Sequence, residues 1–422
     1  MLAKALFQQT KALPARSFGT WSHITAAPAD PILGLNESFK SNTNPKKVLL
    51  GMGAYRDDNG KPFILECVRL AEERILANKM DHEYAGIQGI DSFILKSQKL
   101  AFGNSKAFQE GRIAGAQSIS GTGSLRLGFT FMKDWYPSKD AEVYVPNPTW
   151  PLHKNLAELS GFKWNHYRYY NPETKGLDFE GMKADLKSAK KGSIALFHVC
   201  AHNPTGVDPT PAQWDDVLDI VKTNNLFCGF DSAYQGFASG DLEKDSYSLR
   251  LFAEHTDNIM LFQSFAKNFG IYGERAGCFS VVTSSKEEAN LVQSRIKQIA
   301  RPIYSNPPIH GARIVDTILG DDELTAMWHQ DLKDMSGRMN QMRAGLVKSL
   351  KDLGNEHDWS HVTQQIGMFA FTGLNKDQVN ELREKYAIYM TMDGRISIAG
   401  LNTGNLQYCA EAFHKVTAGK KF

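Results

Sequence analysis

The segment Ser264-Phe-Ala-Lys267-Asn-Phe-Gly-Ile-Tyr-Gly-Glu-Arg275 places one lysine just past the apolar run Asn258-Ile-Met-Leu-Phe262. A hydroxyl stands three residues before it and an arginine eight residues after it. A lysine held where a strand ends in an apolar interior loses its proton to desolvation and becomes a nucleophilic amine. Ser264 and Arg275 are groups that grip a phosphate. An isolated lysine is far more often a surface cation, so the reading rests on three other segments that supply the rest of one site.

Asp231, in Phe230-Asp-Ser-Ala-Tyr234, ends a buried run, and a carboxylate there needs a partner. A lone Asp at such a point is commonly bonded to a turn, but a pyridinium N–H is an equally good partner. Ser120-Gly-Thr-Gly-Ser124 precedes the helical pattern Leu125 to Met132. A Gly-rich loop opening a helix offers backbone N–H groups and a positive dipole end, which suits phosphate. It is neither a P-loop nor G-x-G-x-x-G, so nucleoside triphosphates and NAD are not indicated. Asn203 and Tyr234 can bond a phenolic oxygen, and Trp150, after Asn147-Pro-Thr149, can stack on a ring. An amine beside a phosphate site, with a carboxylate for a ring N–H, is what pyridoxal phosphate (PLP) requires. Arg395 opens the apolar strand pattern Arg395-Ile-Ser-Ile-Ala399, and Arg301 precedes the turn-rich loop Pro302-Ile-Tyr-Ser-Asn-Pro-Pro308. Arginines make bidentate pairs with carboxylates, so two of them point to a substrate with two carboxylates. His153, His198 and His202 fall near these residues and read as structural. No metal is expected.

These residues need strands to carry them. Glu142–Val145, Ser193–Val199, Leu226–Phe230, Asn258–Phe262 and Cys278–Val282 are apolar throughout and do not alternate, as strands buried on both faces do. Helical patterns such as Pro211 to Asn224 separate several of them. The alternation predicts an α/β fold with a mostly parallel sheet, and ligands of such sheets bind beyond the carboxyl ends of the strands. Thr149, Asn203, Asp231 and Lys267 all follow strand ends. Leu324, Trp328, Leu332, Met335, Met339, Met342, Leu346 and Leu350 recur at steps of three and four, one stripe of a long helix with Gly354 as its stop. Beyond it lies a shorter α+β pattern with strands at Met368–Thr372 and Arg395–Ala399.

A chain of 422 residues with 42% hydrophobic and 22% charged residues is an ordinary globular composition, long enough for two or three domains. A net charge of +2 argues against a nucleic-acid partner, and no run is long enough to span a membrane. Cys67, Cys200, Cys228, Cys278 and Cys409 show no C-x-x-C spacing and read as reduced core residues. No acidic residue precedes Asp30, while Lys4, Lys11 and Arg16 alternate with Leu2, Leu6, Phe7, Leu13 and Phe18. That is the composition of a mitochondrial transit peptide, with cleavage near Ser17 to Trp21.

Assembled, the chain resembles the fold-type I PLP-dependent aminotransferases, the aspartate aminotransferase family and its mitochondrial form in particular. The matching segments include Gly51-Met-Gly-Ala-Tyr-Arg-Asp-Asp-Asn-Gly-Lys-Pro62, Glu83-Tyr84, Ser120-Gly-Thr-Gly123, Ala201-His-Asn-Pro-Thr-Gly-Val-Asp-Pro209, Ala266-Lys-Asn268, Tyr272-Gly-Glu-Arg275 and Met392-Asp-Gly-Arg-Ile-Ser397. The resemblance implies reversible transamination between L-aspartate and 2-oxoglutarate by a ping-pong mechanism, with Lys267 holding PLP as an imine and shuttling the proton. A broader aromatic or kynurenine-type range, or a lyase, is the alternative. It implies that Asp231 pairs with the ring nitrogen, that Asn203 and Tyr234 bond the phenolic oxygen, and that Trp150 stacks. It assigns the phosphate to Ser120, Gly121, Thr122, Ser264 and Arg275, with Tyr84 reaching it from a neighbouring subunit. Arg395 binds the α-carboxylate, Arg301 of the neighbour the side-chain carboxylate, and Gly53 lines the pocket. The implied assembly is a homodimer with shared sites in the mitochondrial matrix. The implied boundaries are a transit peptide at 1–20, an arm at 21–33, a small domain at 34–63 and 335–422, and a large PLP-binding domain at 64–334. Met52, Ala85-Gly86, Pro151-Leu152 and Phe265 depart from the usual pattern of that family.

Overall fold

The computed structural model describes residues 20, 21, 23–26 and 33–420. The transit-peptide reading, apart from residue 20, and much of the arm fall outside those residues.

The centre is a seven-stranded sheet: β1 (Ile113–Ile119), β2 (Val143–Asn147), β3 (Trp164–Arg168), β4 (Ile194–His198), β5 (Phe227–Ser232), β6 (Ile259–Ser264) and β7 (Ala276–Val282). Their order across the sheet is β1-β7-β6-β5-β4-β2-β3. All neighbours run parallel except β7, which is antiparallel to both β1 and β6. The mostly parallel α/β sheet expected from the apolar runs is therefore present. Two of its strands were not expected. β1 contains Gly115, Gln117 and Ser118, which interrupt any apolar run, yet Gln117 and Ser118 are fully buried. β3 is an edge strand whose side chains are mostly open, so it lacks the solid apolar run of its neighbours.

Register sets the site. His198 lies beside Asp231 across β4 and β5, and Ser264 beside Gly277 across β6 and β7. His198, Asp231 and Ser264 sit at the carboxyl ends of parallel strands, where ligands of such sheets bind, and Gly277 meets them there because β7 runs the other way.

Helices cover both faces. On one, Phe197, Trp214, Phe230 and Phe252 pack together; on the other, Phe129, Phe262 and Phe279. Helix α1 (Ser120–Trp135) buries Leu125, Leu127, Phe129 and Met132 against the sheet. Helix α2 (Pro211–Thr223) starts at a capping box, Thr210 with Gln213, and has Pro211 at its first position. Helix α3 (Lys286–Tyr304) runs through Pro302. Sequence placed a loop from Pro302 onward. The last turn survives because Ile299 and Ala300 are buried and Tyr304 Oη donates to Gln117 O at 3.0 Å.

Helix α4 (Asp322–Asp352) buries all eight stripe residues from Leu324 to Leu350. Each large side chain contributes about 1.5–3 kcal/mol relative to exposure, so this stripe is a principal support of the region. Asp321 caps its start by accepting from Leu324 N. Around α4 lie two small sheets: Val48–Leu49 pairs with Ile388–Tyr389, and Phe369–Phe371 pairs with Arg395–Ser397. All five cysteines are free and buried. Among the described residues no helix is long and apolar enough to cross a membrane.

Candidate active site

The Gly-rich segment is not a loop before a helix but the first turn of α1. β1 ends at Ile119 and Ser120 turns the chain in one step with a left-handed φ of 57°. Ser118 Oγ holds that turn, 3.1 Å from Ser120 O and 2.7 Å from Ser124 Oγ. The first-turn N–H groups of a helix have no intrahelical acceptor and carry its positive end. Ser120 Oγ lies 2.8 Å from Ser264 Oγ, so hydroxyls from β6 and α1 meet at one point. Arg275 is tied to the same turn, since its carbonyl accepts from Ser120 N at 3.1 Å. N–H groups, two hydroxyls and a guanidinium therefore form one anion cradle.

Asp231 sits at the end of β5, 8% exposed. His153 Nε2 donates to its Oδ2 at 2.8 Å, and His153 Nδ1 lies 2.8 Å from Thr149 Oγ1. Burial works to raise the Asp231 pKa, but the hydrogen bond from His153 leads the effects that outweigh it, and the net shift is downward. Asp231 is thus held ionised, and its Oδ1 takes no hydrogen bond among the described residues. Lys267 is half-buried and lines the same cavity. Burial lowers its pKa, with Asp231 opposing and Arg275 adding. Its Nζ stands 5.6 Å from the centre of the Tyr234 ring. Beside Asp231, His198 is pushed down to about 3 by burial and by His153, so it is neutral.

Arg395 is a buried cation, 4% exposed. Its Nη2 donates to Gly51 O at 2.9 Å and its Nη1 to Asn203 Oδ1 at 3.3 Å, while Nε has no partner. All these acceptors are neutral, so the charge awaits an anion. Burial lowers its pKa.

One cavity of about 220 Å³ gathers Gly53, Ser120, Gly121, Thr122, Trp150, Asn203, Asp231, Tyr234, Ser264, Lys267, Arg275 and Arg395. These are twelve of the fourteen residues singled out from sequence. Tyr84 and Arg301 are absent from it. Tyr84 is 83% exposed and Arg301 is exposed at the end of α3. Both belong to one surface: Asn306 Nδ2 donates to Ala85 O at 2.7 Å, and Arg301 Nη1 donates to Asn306 Oδ1 at 3.4 Å. A larger cavity, about 760 Å³, lies between Lys40 and Tyr408 and contains none of the fourteen.

Three residues of this site were missed or read as merely structural. His153 orients Asp231; its sequence signal was the four-residue step from Thr149, which its ring bonds. His198 and Phe369 line the cavity. Phe369 showed no sign beyond an apolar strand.

The donor set fits a phosphorylated pyridine aldehyde. The cradle matches a phosphate, the free Asp231 oxygen a ring N–H, and the Lys267 amine a carbonyl carbon. The description "Aminotransferase class I and II" matches residues 45–413. The chain belongs to the class I and II aminotransferases. It is 50% identical over 416 residues to the mitochondrial aspartate aminotransferase of Schizosaccharomyces pombe, covering 98% of this chain and 94% of that one. It is 50% identical over 408 residues to the mitochondrial aspartate aminotransferase of Gallus gallus, covering 96% of each. Among solved structures it superposes on an aromatic-amino-acid aminotransferase from Burkholderia pseudomallei, covalently bound to PLP. That match has a TM-score of 0.91 and 42% identity, over 94% of this chain and 100% of that one. The α/β sheet and flanking helices are those of the fold-type I aminotransferases.

Proposed function

We propose that this aminotransferase moves the amino group of L-aspartate to 2-oxoglutarate, reversibly, giving oxaloacetate and L-glutamate with PLP as cofactor. The observation that carries the reading is the buried, uncompensated Arg395 opening onto the same cavity as Lys267 and Asp231. The relatives named aspartate aminotransferase support the substrate pair.

PLP, when bound, draws electrons from the substrate Cα and makes its C–H acidic. Ser120, Gly121, Thr122, Ser264 and Arg275 hold the phosphate. Asp231 presents its charge to the ring N–H, and His153 fixes the plane of that carboxylate. Asn203 and Tyr234 would bond the phenolic oxygen, and Trp150 would stack on the ring. Lys267 Nζ would be the covalent anchor, and as a free amine it would take up the substrate Cα proton and return it. Burial lowers its pKa and so favours the neutral amine that a base needs, and positioned proton transfer of this kind contributes about 10²–10⁴-fold. Arg395 pairs with the α-carboxylate through two parallel N–H···O bonds.

In this reading Tyr84 and Arg301 serve the site of a second copy, Tyr84 at the phosphate and Arg301 at the side-chain carboxylate. Their shared surface at Asn306, outside their own cavity, supports a homodimer that exchanges them together. Segments 34–63 and 335–422 form the domain that closes on 64–334, which is supported by Gly53 and Arg395 meeting Lys267 across the cavity. The relatives named mitochondrial support a mitochondrial location, and the transit-peptide composition of the N-terminus supports the matrix.

The test is the visible absorption of the PLP-loaded protein before and after L-aspartate is added without a keto acid. Replacement of the long-wavelength band of lysine-bound cofactor by the shorter-wavelength band of the aminated form supports the reading. A band that aspartate leaves untouched removes the dicarboxylate assignment, and no long-wavelength band removes Lys267 as anchor.

A further inference from the structure

Helix α4 carries a second buried arginine. Arg343 is 1% exposed and has no carboxylate within ion-pair distance among the described residues. Its guanidinium donates only to main-chain carbonyls: Nη1 to Val362 O at 3.2 Å, and Nη2 to Gly367 O and Phe369 O, both at 2.7 Å. Val362 belongs to the short helix Ser360–Gln364, whose last carbonyls carry partial negative charge. An unpaired buried cation is costly, and burial lowers the Arg343 pKa to about 9. What the cation does in return is fix three carbonyls, one in that helix and two flanking the turn after it.

That turn leads into Phe369. The Phe369 ring centre lies 4.3 Å from the guanidinium carbon of Arg395 and 6.3 Å, edge to face, from the Tyr234 ring. On its other side there is no slack: a Cβ at Gly53 would come within 2.9 Å of Phe369 Cζ. The turn is also pinned from below, where Ile366 N donates to Gly206 O at 2.8 Å. The ring is thus a wedge under Arg395, and its place is set by the backbone that Arg343 holds.

We propose that Arg343 is a positioning residue for substrate binding. By fixing the Gly367 and Phe369 carbonyls it sets the Phe369 ring against Arg395, and with it the direction of the Arg395 fork. The inference rests on the proposed role of Arg395 toward a carboxylate. Arg343 itself touches no substrate, so loss of its hold affects ground-state and transition-state binding alike, which appears in KM and not in kcat.

The experiment measures succinate binding (a four-carbon dicarboxylate with no amine to react) by calorimetry on the PLP-loaded enzyme, alongside steady-state kinetics with L-aspartate. Arg343→Met raises the succinate Kd and the aspartate KM about tenfold, the scale of a desolvated cation–ring contact, while kcat changes by less than about twofold. Arg343→Lys keeps a cation within reach of the carbonyls and restores most of the affinity. Phe369→Leu leaves the guanidinium and its three bonds in place and produces the same rise, so the inference stays testable if Arg343→Met does not fold. A succinate Kd unchanged in Phe369→Leu, or a fall in kcat with Kd unchanged in Arg343→Met, overturns it. Arg395→Met separates the two claims. An unchanged Kd there sinks the carboxylate reading itself. A weakened Kd there, with none in the Arg343 and Phe369 variants, sinks only the positioning role.

Discussion

Replacing Asp231 by asparagine removes the charge at the centre of the site and leaves its shape. Asp231 Oδ2 accepts from His153 Nε2 at 2.8 Å, and an amide oxygen accepts the same bond. An acceptor-only carboxylate assigns the imidazole proton to Nε2, so Nδ1 accepts from the Thr149 hydroxyl in parent and variant alike. What changes is the bond to a ring N–H. A hydrogen bond to an ionised group contributes about 1.5–3 kcal/mol and a neutral one about 0.5–1.5 kcal/mol. The difference, about 1–2 kcal/mol, weakens PLP binding roughly five- to thirtyfold. The single-turnover rate with L-aspartate falls further, by about 10²–10³-fold, the loss expected when one preorganised charge is removed from a buried site. The Lys267 amine also loses the one partner that opposes its burial, so its pKa drops below that of the parent. Absorbance titration with PLP and stopped-flow mixing with aspartate read the two effects, and thermal melting of the cofactor-free protein controls for folding. A PLP affinity within about twofold of the parent and a single-turnover rate within about threefold would refute the charge argument.

The remaining predictions rest on separate features. The Lys267 pKa lies below the ordinary lysine value of 10.5 because of burial. Over that window the unfolded chain binds a proton that the folded chain does not, so parent stability rises with pH up to about 10.5. Lys267→Met therefore melts above the parent near neutral pH when cofactor-free, and the gap closes as pH approaches 10.5; a gap that does not depend on pH contradicts the sign. Gly206 has φ 67°, and a Cβ there would lie 2.9 Å from both Ile366 O and Phe369 O. Gly206→Ala costs about 2–5 kcal/mol, from left-handed strain and overpacking, read as a shift of the urea midpoint; a loss under about 1 kcal/mol means the turn gives way freely. Arg301→Asp lowers kcat/KM for L-aspartate by at least about a hundredfold through the loss of a bidentate pair, and leaves L-alanine turnover near the parent level. Co-expression of Arg301→Asp with Lys267→Ala yields hybrid dimers that regain aspartate activity, because one site then has both its own Lys267 and an intact Arg301 from the other copy. No recovery means the sites are not shared.

Much of the site was legible in the residues because its parts lie at strand ends, where an apolar run stops and a polar side chain follows within a few positions. Lys267, Asp231, Ser264 and Asn203 announce themselves in that way. Long periodic elements were legible for a related reason: the eight-residue stripe of α4 repeats with the helix period, and a local pattern of that length has few alternatives. Element ends were less so. Ser120 to Ser124 carries the composition of a loop, yet the chain leaves β1 so abruptly that these residues are already helical. Pro302 reads as a break, yet packing of Ile299, Ala300 and Tyr304 keeps the turn around it.

Sequence alone therefore determined the kinds of group present: a lysine just past a strand end, a Gly-rich turn with hydroxyls, an acid at the end of a buried run, and two arginines beside apolar or turn-rich segments. It also determined the α/β class, since runs buried on both faces leave little else. The tertiary structure decided which of these groups share a cavity and what state they are in. His153 meets Asp231 across 78 residues, Phe369 lies against Arg395, and Arg343 reaches the turn before Phe369 from another helix. Such contacts join segments far apart in the chain, so no local pattern encodes them. Burial, which lowers the pKa of Lys267 and leaves Arg395 without a counter-charge, exists only once those segments have closed around one space.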